Sequence, residues 1–146
     1  MPQAVQNTYK GRKTVKYMCL GYLDEKKFEA MTEAERNTFL DACFAYDDVL
    51  RAKGHFLSGE GLESTQTATT VRLKNGKPFV TDGPFMETKE QLGGVLILEA
   101  KDLDEALQLI SHHPGIAAAG FEIRPIADMS AVLQASEKRR RVAAKA

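Results

Sequence analysis

The stretch Lys16–Leu23, with the sequence KYMCLGYL, decides the fold because it is apolar on both sides of a strand. Side chains alternate between the two faces of a β-strand, which places Tyr17 and Cys19 on one face. Met18 and Leu20 then lie on the other face. A strand with one wet face would carry polar residues at every second position. Lys16–Leu23 is therefore expected to lie in a sheet that is covered on both faces.

A second strand with two apolar faces is predicted at Gly94–Ala100 (GVLILEA). Four further stretches show weaker strand patterns: His55–Leu62, Thr67–Lys74, Lys77–Thr81 and Phe121–Ile126. Asn75-Gly76 predicts a tight hairpin between the second and third of these weaker strands. Pro125 cannot donate a ladder hydrogen bond, so the last strand is expected at a sheet edge or to end there.

Two helices have clear start signals. Thr32 followed by Glu35 forms a capping box, and Asp102 followed by Glu105 has the same spacing. Gly54 is expected to end the first helix in the left-handed conformation. Apolar residues recur at helical spacing after each cap and predict core-facing stripes. These stripes are Phe39, Cys43, Tyr46 and Leu50 in the first helix, and Leu103, Ala106, Leu107 and Ile110 in the second.

The elements therefore follow the order β–α–β–hairpin–β–α–β. This order predicts an α+β fold, a ferredoxin-like split βαβ with an inserted β-hairpin. Two helices cover only one face of such a sheet, so the second apolar face needs another cover. A second copy of the same sheet is the economical cover, because symmetric dimers are the commonest assemblies. We therefore expect a dimeric α+β barrel.

Length and composition indicate one cytoplasmic domain. The chain has 146 residues, which is enough for a core without metals or disulfides. It has no apolar run of the roughly 18 to 20 residues that a membrane span needs, and its first residues do not form a secretory signal. Cys19 and Cys43 lie in apolar segments without ligand spacing, which predicts buried thiols in a reducing cytoplasm.

The net charge of zero hides a segregation along the chain. Residues 1–14 carry three bases and no acid, and residues 137–146 carry five bases and one acid. The 12 bases and 19 acids of residues 15–136 make the body acidic. An acidic body argues against specific nucleic-acid binding by the folded domain. The basic tail is interpreted as a solubilising end, with contact to an acidic partner or nucleic acid as the alternative.

Few residues stand out as chemical groups. Glu60 lies in a glycine-rich strand, where it is either an edge-exposed carboxylate or an acid facing a cavity with a raised pKa. Arg72 and Arg124 lie on other strands and are its candidate partners. His55 opens a strand and is interpreted as a half-buried polar group, with a base as the alternative. His112-His113 at a helix end suit the helix dipole better than a metal.

The densest polar stretch is Thr81–Glu90 (TDGPFMETKE). A turn followed by a solvated segment with a helical turn at 86–92 would explain it. The longer stretch Val80–Gly94 (VTDGPFMETKEQLGG) resembles the signature of the DGPF proteins, a branch of the YCII-related family. The similarity extends over about residues 15–127. It leaves 1–14 as a flexible basic segment and 128–146 as a helix that dissolves into a basic tail. Further matching stretches are Lys16–Met18, Gly59–Leu62, Ala68–Arg72, Asp102–Ala106 and Glu122–Ile126.

The resemblance implies a ferredoxin-like fold assembled as a dimeric α+β barrel, in agreement with the strand pattern. It implies little about activity, although some members are encoded beside extracytoplasmic-function sigma factors or fused to them. The wider group is proposed to use a histidine–aspartate pair, with the histidine near the start of the first helix. No histidine lies between Thr32 and Gly54, so that pair does not carry over. Asp47 and Asp48 are left without an evident histidine partner.

Two functions fit these observations, and the sequence does not decide whether the protein is an enzyme. The favoured one is binding or conversion of a small molecule in a pocket between sheet and helices. Its candidate catalytic residues are Asp82, Glu60 and His55, and its candidate substrate-binding residues are Arg72, Arg124 and Tyr17. The sequence indicates neither a cofactor nor a metal. The alternative is a non-catalytic regulatory or interaction module linked to sigma factors.

Overall fold

The computed structural model describes residues 13–146, so the segment 1–14 lies almost wholly outside the described residues. This part of the chain contains six strands and four α-helices. In chain order they are β1 Val15–Leu23, α1 Glu25–Ala30, α2 Glu33–Ala52, β2 Phe56–Gly61, β3 Thr69–Lys74, β4 Lys77–Asp82, β5 Gln91–Ala100, α3 Leu103–Ser111, β6 Ala119–Pro125 and α4 Ser130–Lys145.

Four strands form an antiparallel sheet in the order β2-β5-β1-β6, and β3 and β4 form a separate hairpin. β5 lies between β1 and β2 and is antiparallel to both, so β1 and β2 are parallel strands joined by a helical crossover. This is the split βαβ order of a ferredoxin-like fold, and the predicted α+β class is confirmed. The hairpin turn is confirmed too, since Asn75 and Gly76 both have positive φ angles of 53° and 75°.

One face of the sheet is packed. Cys19 of β1 and Leu98 of β5 are fully buried against Leu50 of α2 and Ile110 of α3. Burial raises the pKa of the Cys19 thiol to about 12, so Cys19 remains a neutral core side chain. Both cysteines are free and buried, as the sequence predicts. The capping box of Thr32 and Glu35 is also confirmed at the start of α2.

The opposite face of the sheet is open. It carries an apolar centre of five residues, none of which is buried, and we call it the open face: Met18, Leu20, Tyr22, Val95 and Ile97. The pairing of β1 with β5 places these side chains together, while both core clusters lie on the other side of the sheet. The predicted second cover is therefore not supplied by the described residues.

Three sequence predictions about the helices are wrong. The charged segment after β4 forms bends and no helical turn, and β5 already begins at Gln91. The C-terminal helix does not dissolve at its basic run but continues to Lys145, because Lys, Arg and Ala favour helices and Arg141 pairs with Glu137 one turn earlier. Leu103 and Leu107 do not face the core; they are 46% and 43% exposed.

Other features of the elements agree with the sequence or add to it. β6 is an edge strand and ends at Pro125, as predicted. The sequence does not predict α1, because this helix has only six residues and a single aromatic one, Phe28. The Phe28 ring packs edge-on against Phe39 of α2. Within residues 13–146, no helix is both long enough and apolar enough to cross a bilayer.

Candidate functional site

A cleft of about 850 Å³ lies where β1 passes into α1. Its walls come from the start of α1, from a single 3-10 turn at Thr65–Thr67, and from the loop at residues 83–90 between β4 and β5, which we call the motif loop. Five carboxylates and two lysines line it, so the cleft is acidic. These residues are Asp24, Glu25, Lys26, Glu29, Asp82, Glu87 and Lys89.

Asp24 is the most buried of these acids, with 8% of its surface exposed. It caps α1: its Oδ1 accepts hydrogen bonds from the backbone amides of Lys26 (3.1 Å) and Lys27 (3.4 Å). Its second oxygen, Oδ2, accepts no hydrogen bond from the described residues. No buried side-chain oxygen of the described residues lacks a hydrogen-bond partner, so Oδ2 is open to solvent. Asp24 Oδ2 is therefore available to accept a hydrogen bond from a ligand in the cleft.

Glu25 has a structural task in the same wall. Its carboxylate accepts hydrogen bonds from the Thr65 amide (2.8 Å) and hydroxyl (2.6 Å), and from the Ser64 hydroxyl (3.5 Å). These bonds favour the ionised form and lower the pKa of Glu25. Glu25 thus ties the 3-10 turn to the start of α1 and fixes the width of the cleft.

The Glu25 contact predicts a specific pH dependence of stability. The pKa of Glu25 is lowered in the folded state, so its charged form stabilises the fold. This stabilisation is fully present above the ordinary glutamate pKa of about 4.3 and is lost as the pH falls through the lowered pKa of the folded state. Glu25→Gln is expected to melt at a lower temperature than the wild type at pH 7, with the gap closing towards pH 3.5. Circular dichroism melts across this range measure it. Glu29→Gln, a change in the same cleft, should melt like the wild type at every pH. If the difference in Tm between Glu25→Gln and the wild type does not change with pH, the role given to the Glu25 charge is wrong.

The motif loop is held from behind by β3. The Arg72 guanidinium donates to the Phe85 carbonyl (2.6 Å) and lies over the Phe85 ring at 4.3 Å. The Thr70 hydroxyl donates to the Gly83 carbonyl (2.8 Å), and the Gly83 amide donates to the Ala68 carbonyl (2.8 Å). Gly83 has a φ of 105°, a conformation that favours glycine. Much of the sequence motif is thus explained by the shape of its loop.

Asp82 is the predicted site residue that the structure places in the cleft. It is the last residue of β4, its side chain is exposed, and it makes no side-chain hydrogen bond to the described residues. Arg72, a predicted substrate-binding residue, is not part of the lining, because its guanidinium is engaged by the motif loop. The structure therefore brings Asp82 together with Asp24, which sequence reasoning missed.

The remaining predicted site residues lie away from the cleft and from one another. Glu60 is exposed on the edge strand β2, opposite Val95, on the same side of the sheet as the open face. On the far edge, the Arg124 guanidinium forms a 2.8 Å ion pair with Glu122. Tyr17 is buried on the packed face. The predicted convergence of these residues on one pocket is not seen.

His55 is a core histidine at the start of β2, with 7% of its surface exposed. Its Nδ1 lies 2.8 Å from the Glu99 carbonyl oxygen, which only accepts, so Nδ1 carries the proton of this hydrogen bond. The Glu105 carboxylate lies 3.9 Å from the same nitrogen. These contacts hold β2, β5 and α3 together and lie outside the cleft.

A histidine–aspartate pair does exist, although no pattern in the sequence indicates it. His113 is 5% exposed, and its Nε2 lies 3.0 Å from Asp47 Oδ1 on α2. The Gly115 amide donates to Nδ1 (2.9 Å), so Nδ1 has no proton and Nε2 donates to Asp47. Tyr46 and Phe121 pack edge-on against the imidazole at 5.5 and 5.1 Å.

The expectation that Asp47 lacks a histidine partner is therefore wrong. Both ring nitrogens of His113 are already used, one as acceptor and one as donor, so the imidazole has no nitrogen left to take a proton from a ligand. The pair joins α2 to the turn after α3 and has a structural role. The two residues are 66 positions apart in the chain, and no local pattern in the sequence connects them.

This chain is similar to several known proteins. A protein of Rhizobium meliloti (strain 1021), described as uncharacterized, is 33% identical over 115 residues, which cover 76% of this chain and 91% of the relative. A solved structure of 5-chloro-2-hydroxyhydroquinone dehydrochlorinase from Burkholderia phenoliruptrix AC1100, in complex with 2,5-dihydroxybenzoquinone, is 17% identical with a TM-score of 0.45. That match covers 77% of this chain and 93% of the other. The family model described as the YCII-related domain matches residues 15–130, and the chain belongs to the YCII-related family.

Proposed function

We propose that this chain binds a small polar molecule in the cleft, with Asp82 as the residue that exchanges a proton or hydrogen bond with it. The observation that carries the proposal is that two carboxylates, Asp24 and Asp82, line the same cleft. Asp82 has no side-chain partner among the described residues, and the enclosed Asp24 has one oxygen without one. Concave sites with a few convergent polar groups are the usual ligand sites of proteins.

The charge of the lining indicates the chemistry of the ligand. Carboxylates outnumber lysines five to two around the cleft. A carboxylate only accepts hydrogen bonds, so the ligand must bring donors, either an amine or several hydroxyl groups. A molecule with a single negative charge and no donors would be repelled. A polar ligand with amine or hydroxyl donors thus fits the cleft best.

Acid–base chemistry is the reaction type that these groups support. A carboxylate within hydrogen-bond distance of a ligand proton can act as a general base. Asp82 is placed for this role because it is the last residue of β4. The motif loop that follows it is held in position by Arg72. Arg72 therefore enters the proposal as a positioning residue. Glu60, His55, Arg124 and Tyr17 are not part of this site.

Ligand-induced thermal stabilisation tests the proposal. The wild type, Asp82→Asn and Glu60→Gln are melted against a panel of amines, amino sugars, polyols and hydroxylated aromatics. Glu60→Gln is the matched control, because it neutralises an exposed strand acid outside the cleft. We expect a panel member to raise the Tm of the wild type and of Glu60→Gln, with at least half of the shift lost in Asp82→Asn. Equal shifts in all three proteins, or none in any, would contradict the proposal.

We further propose that the chain is a member of the DGPF branch and assembles as a dimeric α+β barrel. The stretch Val80–Gly94 supports the branch. The open face supports the assembly, because a continuous apolar surface on a sheet is unusual in a monomer. Stacking two such faces about a two-fold axis buries both.

A regulatory module linked to sigma factors is the second candidate. It is supported by α4, whose basic run Lys138–Arg141 is exposed together with the apolar side chains of Val132 and Leu133. Such a helix can contact an acidic protein surface. The ligand panel separates the two candidates, since a regulatory module needs no ligand in the cleft and Asp82→Asn would leave its melting unchanged under all conditions.

A further inference from the structure

The acidic cleft carries more negative charge than its own residues neutralise. Five carboxylates and two lysines line it, which gives a formal charge of −3. None of the ion pairs formed by residues 13–146 joins two of these side chains. The domain around the cleft is acidic as well, with 12 bases and 19 acids over residues 15–136, so its field attracts cations. The negative charge of the cleft is therefore available to a cationic ligand.

The acids divide between two walls of the cleft, and both walls are negative. The start of α1 supplies three acids and one base, which we call the α1 wall: Asp24, Glu25, Glu29 and Lys26. The end of β4 and the motif loop supply two acids and one base, which we call the loop wall: Asp82, Glu87 and Lys89. A ligand that neutralises both walls needs a cationic group for each of them.

A compact metal ion does not match this distribution of charge. Ca²⁺ and Mg²⁺ need several oxygen ligands that converge at about 2.0–2.6 Å from one point. Within the described residues, no group of three or more His, Cys, Asp or Glu side chains is arranged to hold a metal ion. The carboxylates of the cleft are therefore suited to a cation whose charge is spread over its length.

Asp24 points to a ligand independently of the total charge. Its side chain lines the cleft although only 8% of the residue is exposed. Oδ1 is occupied by two backbone amides of α1, while Oδ2 accepts no hydrogen bond from the described residues. An ammonium group brings three donors and a positive charge, and a charge-assisted hydrogen bond is roughly twice as strong as a neutral one. An amine therefore complements this enclosed carboxylate better than a hydroxyl group does.

We infer that the ligand of the cleft is an extended dication, an aliphatic diamine with one ammonium group at each wall. The inference rests on the proposed function and narrows its ligand from hydrogen-bond donors in general to amines. Asp24 and Glu29 hold one ammonium group, and Asp82 and Glu87 hold the other. Aliphatic amines ionise like lysine, with a pKa of about 10.4, so both groups are charged at neutral pH.

Isothermal titration calorimetry at low ionic strength tests the inference with four probes. Putrescine is a four-carbon diamine, butylamine keeps one of its amines, and butanediol replaces both amines by hydroxyl groups. Magnesium chloride supplies a compact dication. We expect putrescine to bind at least about fivefold more tightly than butylamine, because it adds a second exposed ion pair, and butanediol to bind more weakly than either. Added salt should weaken the binding of putrescine.

One substitution in each wall locates the two ammonium groups. Glu29→Gln and Glu87→Gln each remove one exposed carboxylate, and each should weaken putrescine binding roughly threefold to fivefold. Glu60→Gln is the matched control, because it removes the same charge from an exposed strand residue outside the cleft. It should bind putrescine like the wild type, and circular dichroism checks that all three variants are folded.

The outcomes separate this inference from the proposed function. If butanediol binds as tightly as putrescine, or if a member of the thermal-shift panel binds and putrescine does not, the diamine is wrong and the proposed function stands. Butylamine that equals putrescine, or Mg²⁺ binding that both wall variants lose, overturns the extended dication. An equal loss in Glu60→Gln shows that only the overall charge attracts the diamine, which also overturns the inference. If nothing binds, the proposed function fails together with it.

Discussion

His113→Ala is expected to lower the stability of the protein more than any change in the cleft. The substitution leaves Asp47, whose side chain is 13% exposed, without its partner and leaves the Gly115 amide without an acceptor. His113 is neutral in this arrangement, and leaving the enclosed Asp47 acceptor without its hydrogen bond costs roughly 1–3 kcal/mol. The loss of the imidazole between Tyr46 and Phe121 adds a cavity. A fall in Tm of roughly 10 °C or more follows, measured by circular dichroism.

His112→Ala is the control for this prediction. His112 is the next residue, is exposed, and makes one hydrogen bond to the Gln108 carbonyl at 2.8 Å. A loss of about 1 kcal/mol or less is expected there. A catalytic His113 would behave differently, with ligand turnover lost and stability kept. Equal melting of His113→Ala and His112→Ala would show that the pair with Asp47 does not hold α2 in place.

Gly83→Ala is expected to cost about 1–3 kcal/mol, because an alanine at a φ of 105° is strained. No atom lies within 4 Å of the added methyl group, so the cost comes from the backbone and not from a clash. The strain is relieved by moving the motif loop, which carries the wall of the cleft next to Asp82. Ligand stabilisation should therefore fall together with the free energy of unfolding in urea.

Gly61→Ala provides the comparison for Gly83→Ala. Gly61 also has no atom within 4 Å of an added methyl group, and its φ lies outside the left-handed region. Its substitution is expected to change the free energy of unfolding by less than about 1 kcal/mol. If the two variants unfold at the same urea concentration, the loop does not depend on the positive φ of Gly83.

The sheet could be predicted because its signals are local and repeated. The two-faced pattern of Lys16–Leu23, the capping box at Thr32 and the Asn75-Gly76 turn each act over a few residues. α1 escaped prediction because Glu25–Ala30 is too short to show helical periodicity. The extension of α4 was missed because a run of like charges was interpreted as a solvated end, although Arg and Lys favour helices.

The site was harder to predict because it depends on contacts between distant segments. Asp82 was found from its motif, but its partner Asp24 stands in a stretch whose only signal is an aspartate before a charged turn. An N-cap interpretation of Asp24 would have found the helix and the buried carboxylate together. Glu60 and Arg124 were grouped with Asp82 by chemical type, whereas the strand order sends them to opposite edges of the sheet.

The central claim is that the acidic cleft beside the motif loop binds a small polar ligand. Its most direct test is an NMR titration of the ¹⁵N-labelled protein with the panel compound that stabilises the wild type most. The account predicts saturable shifts of backbone amides at Lys26, Thr65, Gly83 and Lys89, and no comparable shifts for Asp82→Asn. Shifts that cluster instead on the open face, around Ile97, would contradict it.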